Sequence, residues 1–411
     1  MVYETENRSP LAEMAALATG RSSDLFQPDL EEHSAELRDR IAGRRMLVLG
    51  GAGSIGSSTV ALLSQFKPAS LHVVDQNENL LTELVRDLRS RREGLEIADF
   101  QALPLDFGSP LMQGFLESQA PYDSVLNFAA LKHVRSEKDV WSLLQMLDTN
   151  LLKPLRCWEG MRKLGWSPEY FSVSTDKAAD PANFMGASKR LMEALMFSGP
   201  LESSRRITSS RCANVAFSNG SLLVSFVLRL EKRQPLASPR NTRRFFISLR
   251  EAGQICMLAA FLGPDRHIVI PRLDPAKDAR QLDEIAIAFL RSKGLEPAIY
   301  PDEQCARANV GRDLLRNRYP LLLTELNTAG EKACEVFVGK GEETSEFGMS
   351  SLLAVRPAAC HRAAMTEFIR ELQGLISSPS GANKTRIGML IARALPEFQH
   401  LGSDKTLDQR M

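Results

Sequence analysis

A short apolar segment followed by regularly spaced glycines constrains the fold of this chain more than any other feature. Met46–Leu49 is entirely apolar and leads directly into a loop with glycine at every third position, after which a helical pattern begins. Such glycines allow a tight turn and a close approach of the backbone to a pyrophosphate, whose charge meets the helix N-terminus. The residues we expect at this pyrophosphate are Gly50, Gly53, Ser54, Ile55 and Gly56.

A second predicted strand, Leu71–Val74, supports this interpretation because it ends in an acidic residue. Asp75 lies about 20 residues beyond Gly56, where a carboxylate accepts hydrogen bonds from an adenosine ribose. A carboxylate at this position repels a 2′-phosphate. We therefore predict NAD as the cofactor, with NADP as the alternative.

Strands and helices alternate regularly as far as Lys189, which predicts an α/β fold with a doubly wound parallel Rossmann sheet. Asp106 ends the third strand, where it can accept from an adenine amine. The fourth strand ends in Ala129 and Ala130, whose small side chains allow a cofactor to lie flat. Asn150 lies on a long helical stretch, which we expect Pro154 to kink. Asn150 is interpreted as holding the backbone of the fourth strand near the cofactor, or as an exposed helix residue.

A hydroxyl, a carboxylate and an amine follow one another where the fifth predicted strand ends, at Thr175, Asp176 and Lys177. Ligands and chemistry lie at this edge of open α/β sheets. A solvated turn pair is the usual explanation of an isolated Asp-Lys dipeptide. The glycine loop makes an acid-base pair the better interpretation here. Asn183 is expected to cap the helix that follows.

Composition and charge exclude several functional classes. The 51 basic residues nearly balance the 50 acidic ones, and a net charge of +1 gives no electrostatic basis for binding nucleic acid or an anionic membrane. Six scattered cysteines without a Cys-x-x-Cys pair indicate a reducing cytoplasm and no metal site. No transmembrane helix or signal peptide is predicted. We expect a soluble, cytoplasmic protein.

A chain of 411 residues is long enough for one large α/β domain and a smaller lobe. We divide it into a helical extension (1–43), an NAD-binding Rossmann domain (44–210), a smaller α/β substrate-binding lobe interleaved with the Rossmann core (211–335) and a C-terminal helical segment (336–411). The extension is expected to pack on its own domain or on a neighbouring subunit. The C-terminal helices are expected to pack on the core or to form a subunit interface.

Four of these motifs resemble the extended short-chain dehydrogenases, and most closely the polysaccharide-biosynthesis branch of UDP-N-acetylglucosamine 4,6-dehydratases. They are Gly50–Gly56, Ala129–Val134, Ser174–Ala178 and Met185–Lys189. The resemblance covers roughly residues 45–335 and continues through Arg211–Val215, Arg244–Phe246 and Gly330–Lys332. Asn219–Leu222 and the tail Leu407–Met411 are similar to a soluble subgroup in legionaminic-acid-type pathways, some of whose members are thought to use GDP-N-acetylglucosamine.

The usual catalytic tyrosine of this fold is absent. None of the five tyrosines has a lysine four residues further on, and Met185 occupies the tyrosine position with Lys189 one helical turn later. A thioether cannot transfer a proton. The resemblance implies that a methionine here is a variant of this branch that retains Thr-Asp-Lys. It leaves open which group deprotonates the 4-hydroxyl of the sugar.

The mechanism that the resemblance implies uses NAD as a hydride carrier that is not consumed. C4 of the hexose is oxidised, Lys177 removes the acidified C5 proton, and Asp176 protonates the departing C6 hydroxyl. Hydride returns to C6 and leaves a 4-keto-6-deoxy sugar. Thr175 would hydrogen-bond the 4-oxygen, and Lys189 the nicotinamide ribose. Lys132 would act on the substrate side, or is a surface lysine.

The resemblance assigns the nucleotide diphosphate to the smaller lobe. Asn214 would contact a phosphate or the sugar, Ser221 begins a helix whose amides face the pyrophosphate, and Arg244 would clamp a phosphate. Glu331 would meet the nucleoside ribose. The family's arginine just before this loop is absent, since Thr328 and Ala329 stand there, so the choice between UDP and GDP sugars stays open. The family tends to assemble, and a homo-oligomer is expected.

Two other functions remain as alternatives. A nucleotide-sugar 4-epimerase or reductase on the same fold would not need the adjacent Asp176 and Lys177. A catalytically inert NAD-binding sensor would explain Met185, but it would not need Asn214 and Arg244. His133, beside the fourth strand, is more often structural than catalytic in such a position. Retention and inversion at C5 are both compatible with the sequence.

Overall fold

A sheet of nine strands forms the centre of this computed structural model, which describes residues 10–92, 94–133, 137–198, 201, 204–325, 334–358 and 360–398. The strands, in chain order, are β1 Arg45–Leu49, β2 Ser70–Val74, β3 Asp99–Leu103, β4 Ser124–Asn127, β5 Glu169–Thr175, β6 Arg206–Cys212, β7 Asn214–Val215, β8 Leu236–Pro239, β9 Arg243–Ile247, β10 His267–Pro271, β11 Ala279–Gln281, β12 Glu296–Tyr300, β13 Arg318–Thr324, β14 Glu343–Ser345 and β15 Leu352–Arg356.

The helices surround this sheet and build the smaller lobe. They are α1 Pro10–Thr19, α2 Gln27–Glu32, α3 Ser34–Ile41, α4 Ser54–Leu63, α5 Glu78–Ser90, α6 Pro110–Glu117, α7 Val140–Leu147, α8 Lys153–Lys163, α9 Phe184–Ser198, α10 Leu222–Glu231, α11 Leu249–Phe261, α12 Pro275–Asp278, α13 Leu282–Ser292, α14 Glu303–Leu314, α15 Arg362–Ser377 and α16 Lys384–Ala394.

The central sheet has the strand order β14-β15-β10-β6-β5-β4-β1-β2-β3. The seven strands from β3 to β10 run parallel, whereas β15 is antiparallel to β10 and β14 is antiparallel to β15. Every residue of β2 is buried, as expected for a parallel strand covered by helices on both faces. The order reverses between β1 and β4, which is where such sheets bind ligands. The predicted fold class is confirmed.

The smaller lobe has its own apolar core. Two three-stranded sheets build it, one ordered β11-β9-β7 and one ordered β12-β13-β8. Phe226, Phe289 and Tyr319 are almost fully buried in its core, and Phe246 of β9 joins them. The neighbouring Phe245 belongs to the core of the central sheet. Strand β9 therefore contributes to both cores and links the lobe to the central domain.

The N-terminal residues from Pro10 onward pack on the same chain. The guanidinium of Arg21 donates to both carboxylate oxygens of Glu251 at the start of α11, at 3.2 and 2.7 Å. The buried carboxylate of Asp29 accepts bonds from the backbone amides and hydroxyls of Ser350 and Ser351. These contacts tie the extension to the central domain.

Three local expectations need correction. The C-terminal segment is not only helical, because β14 and β15 extend the central sheet before α15 begins. The predicted single strand around 207–215 is interrupted at Ala213, which divides it into β6 and β7. The long helix is interrupted by a π-helical turn over Asp148–Leu152, immediately before the α8 turn that contains Pro154.

Candidate active site

The glycine-rich loop between β1 and α4 is packed so closely that only glycine fits at two of its positions. Gly50 has φ +69°, and a Cβ there would lie 2.4 Å from the amide nitrogen of Ala129. A Cβ on Gly56 would lie 2.4 Å from the carbonyl oxygen of Gly50. Gly53 is the N-cap of α4 and has no side chain, so no capping side chain accepts from the first amides of this helix. This arrangement fits a dinucleotide pyrophosphate.

Two carboxylates follow neighbouring strands at the same edge. Asp75 accepts from the Ala52 amide at 3.1 Å, which places its carboxylate against the glycine-rich loop. Asp106 accepts from the ammonium of Lys153 at 2.5 Å and from the Gly108 amide at 2.9 Å. Burial raises the pKa of Asp106, but these hydrogen bonds outweigh it and hold the pKa below its ordinary value. Sequence analysis did not identify Lys153.

The turn after β5 places a hydroxyl, a carboxylate and an amine in direct contact. Asp176 is buried, and its Oδ1 accepts from Thr175 Oγ1 at 2.8 Å and from Lys177 Nζ at 3.0 Å. The other oxygen, Oδ2, is also buried and has no hydrogen-bond partner among the described residues. An unsatisfied buried carboxylate oxygen costs free energy and is a position where a ligand hydroxyl can bind.

The amine of Lys177 faces three oxygen acceptors from three parts of the chain. Besides Asp176, these are Asn214 Oδ1 of β7 at 3.3 Å and Glu335 Oε1 at 4.0 Å. The Asn214 amide is oriented by its Nδ2, which donates to the carbonyl of Phe245 at 3.2 Å. The structure therefore brings Asn214 to the predicted acid-base pair and adds the buried carboxylate of Glu335, which sequence analysis missed.

Helix α9 carries Met185 in its first turn and Lys189 one turn later. Asn183 caps the helix by accepting from the Gly186 amide at 2.8 Å, and Glu137 accepts from the Met185 amide at 2.9 Å. The Lys189 ammonium is buried and donates to the carbonyl of Val173 in β5 at 3.0 Å. Burial lowers the pKa of Lys189 to about 8. The role of Glu137 was not predicted.

The loop after β4 is held by the predicted asparagine. Asn150 accepts from the Leu131 amide at 2.9 Å and donates to the Leu131 carbonyl at 3.0 Å and to Ser188 Oγ at 2.9 Å. Asn150 lies in the π-helical turn, and its side chain is buried. Asn150 thus contacts the backbone just beyond Ala129 and Ala130, which are partly exposed at the sheet edge.

The segment 217–221 lies across the glycine-rich loop. The Asn219 amide donates to Ser54 Oγ at 3.0 Å, and Lys132 Nζ lies 3.5 Å from Ser218 Oγ. A Cβ on Gly220 would lie 2.5 Å from the ring of His133. The contacts bring Lys132 and the predicted substrate segment together beside the predicted cofactor loop.

Two features of the smaller lobe complete the predicted substrate side. Ser221 caps α10 by accepting from the Val224 amide at 3.3 Å. Arg244 is buried in β9 directly opposite Arg280 of β11, so two cationic side chains share one face of this small sheet. Glu331 and the tail 407–411 lie outside the described residues.

A network of buried charged side chains lies next to the turn after β5. The guanidinium of Arg211 in β6 is fully buried and donates to Glu193 of α9 and to Glu342. It also donates to the carbonyl of Phe337 at 2.8 Å. The Ser174 hydroxyl, next to the Asp-Lys turn, donates to Glu193 at 2.6 Å. The network therefore connects the turn after β5 with the segment that carries Glu335.

A sheet of this order, with a glycine-rich loop between β1 and α4, belongs to the dinucleotide-binding class of short-chain dehydrogenase folds. The chain is a member of the polysaccharide biosynthesis protein family, whose model matches residues 46–355. It is 31% identical over 263 residues to an uncharacterized membrane protein of Methanocaldococcus jannaschii, covering 62% of this chain and 74% of the relative. This result confirms the predicted family.

A relative named UDP-N-acetylglucosamine 4,6-dehydratase (inverting), from Campylobacter jejuni, is 26% identical over 247 residues, which is 57% of this chain and 69% of the relative. The chain spans only 41% and 44% of longer polysaccharide and capsule biosynthesis relatives from Bacillus subtilis and Staphylococcus aureus. Among solved structures, the dTDP-glucose 4,6-dehydratase of Streptomyces venezuelae superimposes with a TM-score of 0.54 at 18% identity, covering 82% of this chain and 98% of that chain. That enzyme was solved with NAD bound.

Two predicted absences concern the membrane and metals. Within the described ranges, no helix is both long and apolar enough to cross a bilayer. The described side chains also contain no group of three or more His, Cys, Asp or Glu residues that could hold a metal ion.

Proposed function

We propose that the protein is an NAD-dependent 4,6-dehydratase of a nucleotide-activated N-acetylhexosamine. The observation that carries this proposal is the buried Asp176, with one oxygen in contact with Thr175 and Lys177 and the other without a partner among the described residues. An acid and a base in contact at the carboxyl edge of β5 suit a reaction that moves a proton from one carbon and a hydroxyl from the next.

The residues around the glycine-rich loop fit the cofactor. The amides of Gly50, Gly53 and the first turn of α4 would hold the pyrophosphate, and Asp75 would accept from the ribose. NAD would supply reversible hydride transfer, accepting from C4 of the sugar and returning to C6. The partly exposed Ala129 and Ala130 leave space along the edge of the sheet.

The Asp-Lys turn would perform the elimination. Once C4 is a ketone, the C5 proton is acidified and the Lys177 amine can remove it in its neutral form. Asp176, in its protonated form, then gives a proton to the departing C6 oxygen. Thr175, which donates to Asp176, would face the 4-oxygen.

The nucleotide would bind between the two domains. Arg244 lies opposite Arg280 on one sheet face, which favours an anionic ligand such as a diphosphate. Asn214 connects that sheet to Lys177. UDP-N-acetylglucosamine and GDP-N-acetylglucosamine are the two substrates we propose to test.

The test is incubation of the protein with NAD and each sugar in deuterated water, followed by mass spectrometry and proton NMR. With one of the two nucleotide sugars, we expect a product that has lost one water and carries one deuterium at C5. Asp176→Asn and Lys177→Met should each lower the rate on the order of 10² to 10⁴-fold. Lys163→Met, a matched change at an exposed lysine at the end of α8, should leave the rate unchanged.

Three outcomes would contradict the proposal. A product with inverted configuration at C4 and no loss of water would identify a 4-epimerase. Tight binding of NAD without conversion of either sugar would favour the inert sensor. If the Asp176 and Lys177 variants dehydrated the sugar at the full rate, the assignment of these two residues as acid and base would be wrong.

A further inference from the structure

Glu335 is a buried carboxylate beside the acid-base pair. Its side chain is 4% exposed, and its Oε1 lies 4.0 Å from Lys177 Nζ. The segment after it is fixed, because Arg211 donates to the carbonyl of Phe337 and to the buried Glu342. Glu335 therefore reaches the catalytic turn from a separate and firmly anchored part of the chain.

The surroundings of Lys177 indicate its charge in the resting site. An ammonium has three donors and no acceptor, and the Lys177 nitrogen faces three oxygen acceptors, from Asp176, Asn214 and Glu335. The buried thiol of Cys212, at the end of β6, also interacts electrostatically with Asp176. We count the protons of the cluster of Lys177, Asp176 and Glu335 relative to a neutral amine and two ionised carboxylates. The resting cluster thus fits one extra proton, which is on Lys177.

A proton count for the proposed reaction then requires a second carboxylate, so the inference rests on the proposed function. Oxidation at C4 releases the proton of the 4-hydroxyl, which brings the number of extra protons in the cluster from one to two. At the elimination step Lys177 must be neutral, to act as the base, and Asp176 must be protonated, to act as the acid. Asp176 carries one of the two extra protons. Because Lys177 is neutral at this step, the second proton must be on a different group.

We propose that Glu335 holds this second proton during turnover. The 4-hydroxyl gives its proton to Thr175 Oγ1, whose own proton passes to Asp176 across 2.8 Å. One N–H bond of Lys177 breaks and an O–H bond forms on Glu335, which leaves the electron pair on the amine. The 4.0 Å separation requires a small approach of the two side chains or one bridging water.

The remaining steps restore the resting state. Lys177 takes the C5 proton while Asp176 gives its proton to the departing C6 oxygen, forming water. When C6 is reduced, Lys177 returns a proton to C5 and becomes neutral again. Glu335 then returns its proton to Lys177. Every proton taken from the sugar is thereby accounted for within the cluster, and no net proton is released to solvent before the product forms. Glu335 acts through Lys177 and is a positioning residue.

The test measures protons released to solvent. A weakly buffered rapid-mixing experiment with a pH indicator is run while the absorbance of reduced nicotinamide reports oxidation at C4. The wild-type protein should release no proton as C4 is oxidised. Glu335→Gln should release about one proton per site, and its elimination step should slow on the order of 10²-fold at neutral pH. That rate should recover as the pH rises, because Lys177 must then lose its proton to solvent. Glu335→Asp should behave between the two.

The control and the contrary outcomes are distinct from those of the proposed function. Glu343→Gln, at an exposed carboxylate of β14, should match the wild type in both signals. Release of one proton per site by the wild-type protein would overturn the inference, and this measurement needs no variant to fold. A Glu335→Gln variant with wild-type elimination and no proton release would also overturn it. If the wild type oxidises neither sugar, the proposed function fails and the inference falls with it.

Discussion

Replacement of Arg211 by methionine should cost more stability than any exposed charge substitution in this chain. Arg211 donates to Glu193 at 2.9 and 2.7 Å and to Glu342 at 2.5 and 2.8 Å, and all three side chains are almost fully buried. Burial lowers the pKa of Arg211, but the two glutamates outweigh it and hold the pKa above its ordinary value. In the variant, Glu193 and Glu342 would still contact Arg190, whose Nη1 lies 3.2 Å from Glu193 Oε2 and 2.6 Å from Glu342 Oε1.

Removing one partner of a buried ion pair typically costs about 3–5 kcal/mol, because the other charge stays buried without compensation. We therefore expect Arg211→Met to lower the free energy of unfolding by about that amount in urea titrations monitored by circular dichroism. The control is Arg393→Met, which removes a largely exposed pair with Glu371 and should cost no more than about 1 kcal/mol. A loss below about 1 kcal/mol for Arg211→Met would refute this reasoning.

The other predictions concern the cofactor loop, helix α9 and Asn150. Gly50→Ala should weaken NAD binding at least about tenfold by calorimetry, because its Cβ would lie 2.4 Å from Ala129 N at φ +69°; unchanged affinity would contradict the assigned loop. Lys189 has a folded-state pKa of about 8, below the 10.5 of a free lysine, so the unfolded chain binds more protons between these values and stability rises with pH across them. Lys189→Met should stabilise the fold by up to about 3 kcal/mol at pH 7, and the gain should vanish above pH 10.5 in chemical denaturation. Asn150→Ala should lower stability by about 1–3 kcal/mol, since the Leu131 amide loses its acceptor; a melting temperature equal to the wild type would count against it.

Local patterns predicted the parts of the site that depend on neighbouring residues. The glycine spacing after β1 and the polar residues after β5 belong to strand-loop-helix units, whose geometry the nearby sequence determines. The Asn183 cap was predicted for the same reason, since a cap bonds within its own first turn. The central sheet followed from the alternation of strands and helices.

Contacts between distant segments could not be predicted in this way. Glu335 reaches Lys177 from a different part of the chain. Arg211 pairs with Glu193 and Glu342 because the fold packs them together, and no regular spacing in the sequence indicates these ion pairs. Nothing in the sequence around Glu335 distinguishes it from a solvated glutamate. The interruption at Asp148–Leu152 also escaped prediction, because hydrophobic periodicity indicates a helix without determining the hydrogen-bond pattern of a single turn.

The most direct test of the central claim follows the hydrogen on C4 of the sugar. The protein is incubated with NAD and UDP- or GDP-N-acetylglucosamine carrying deuterium at C4, and the product is examined by mass spectrometry and NMR. Our account predicts loss of one water and transfer of that deuterium to the C6 methyl group of a 4-keto product. Deuterium that stays at C4, or is lost without dehydration, would contradict the proposal that this protein is a 4,6-dehydratase.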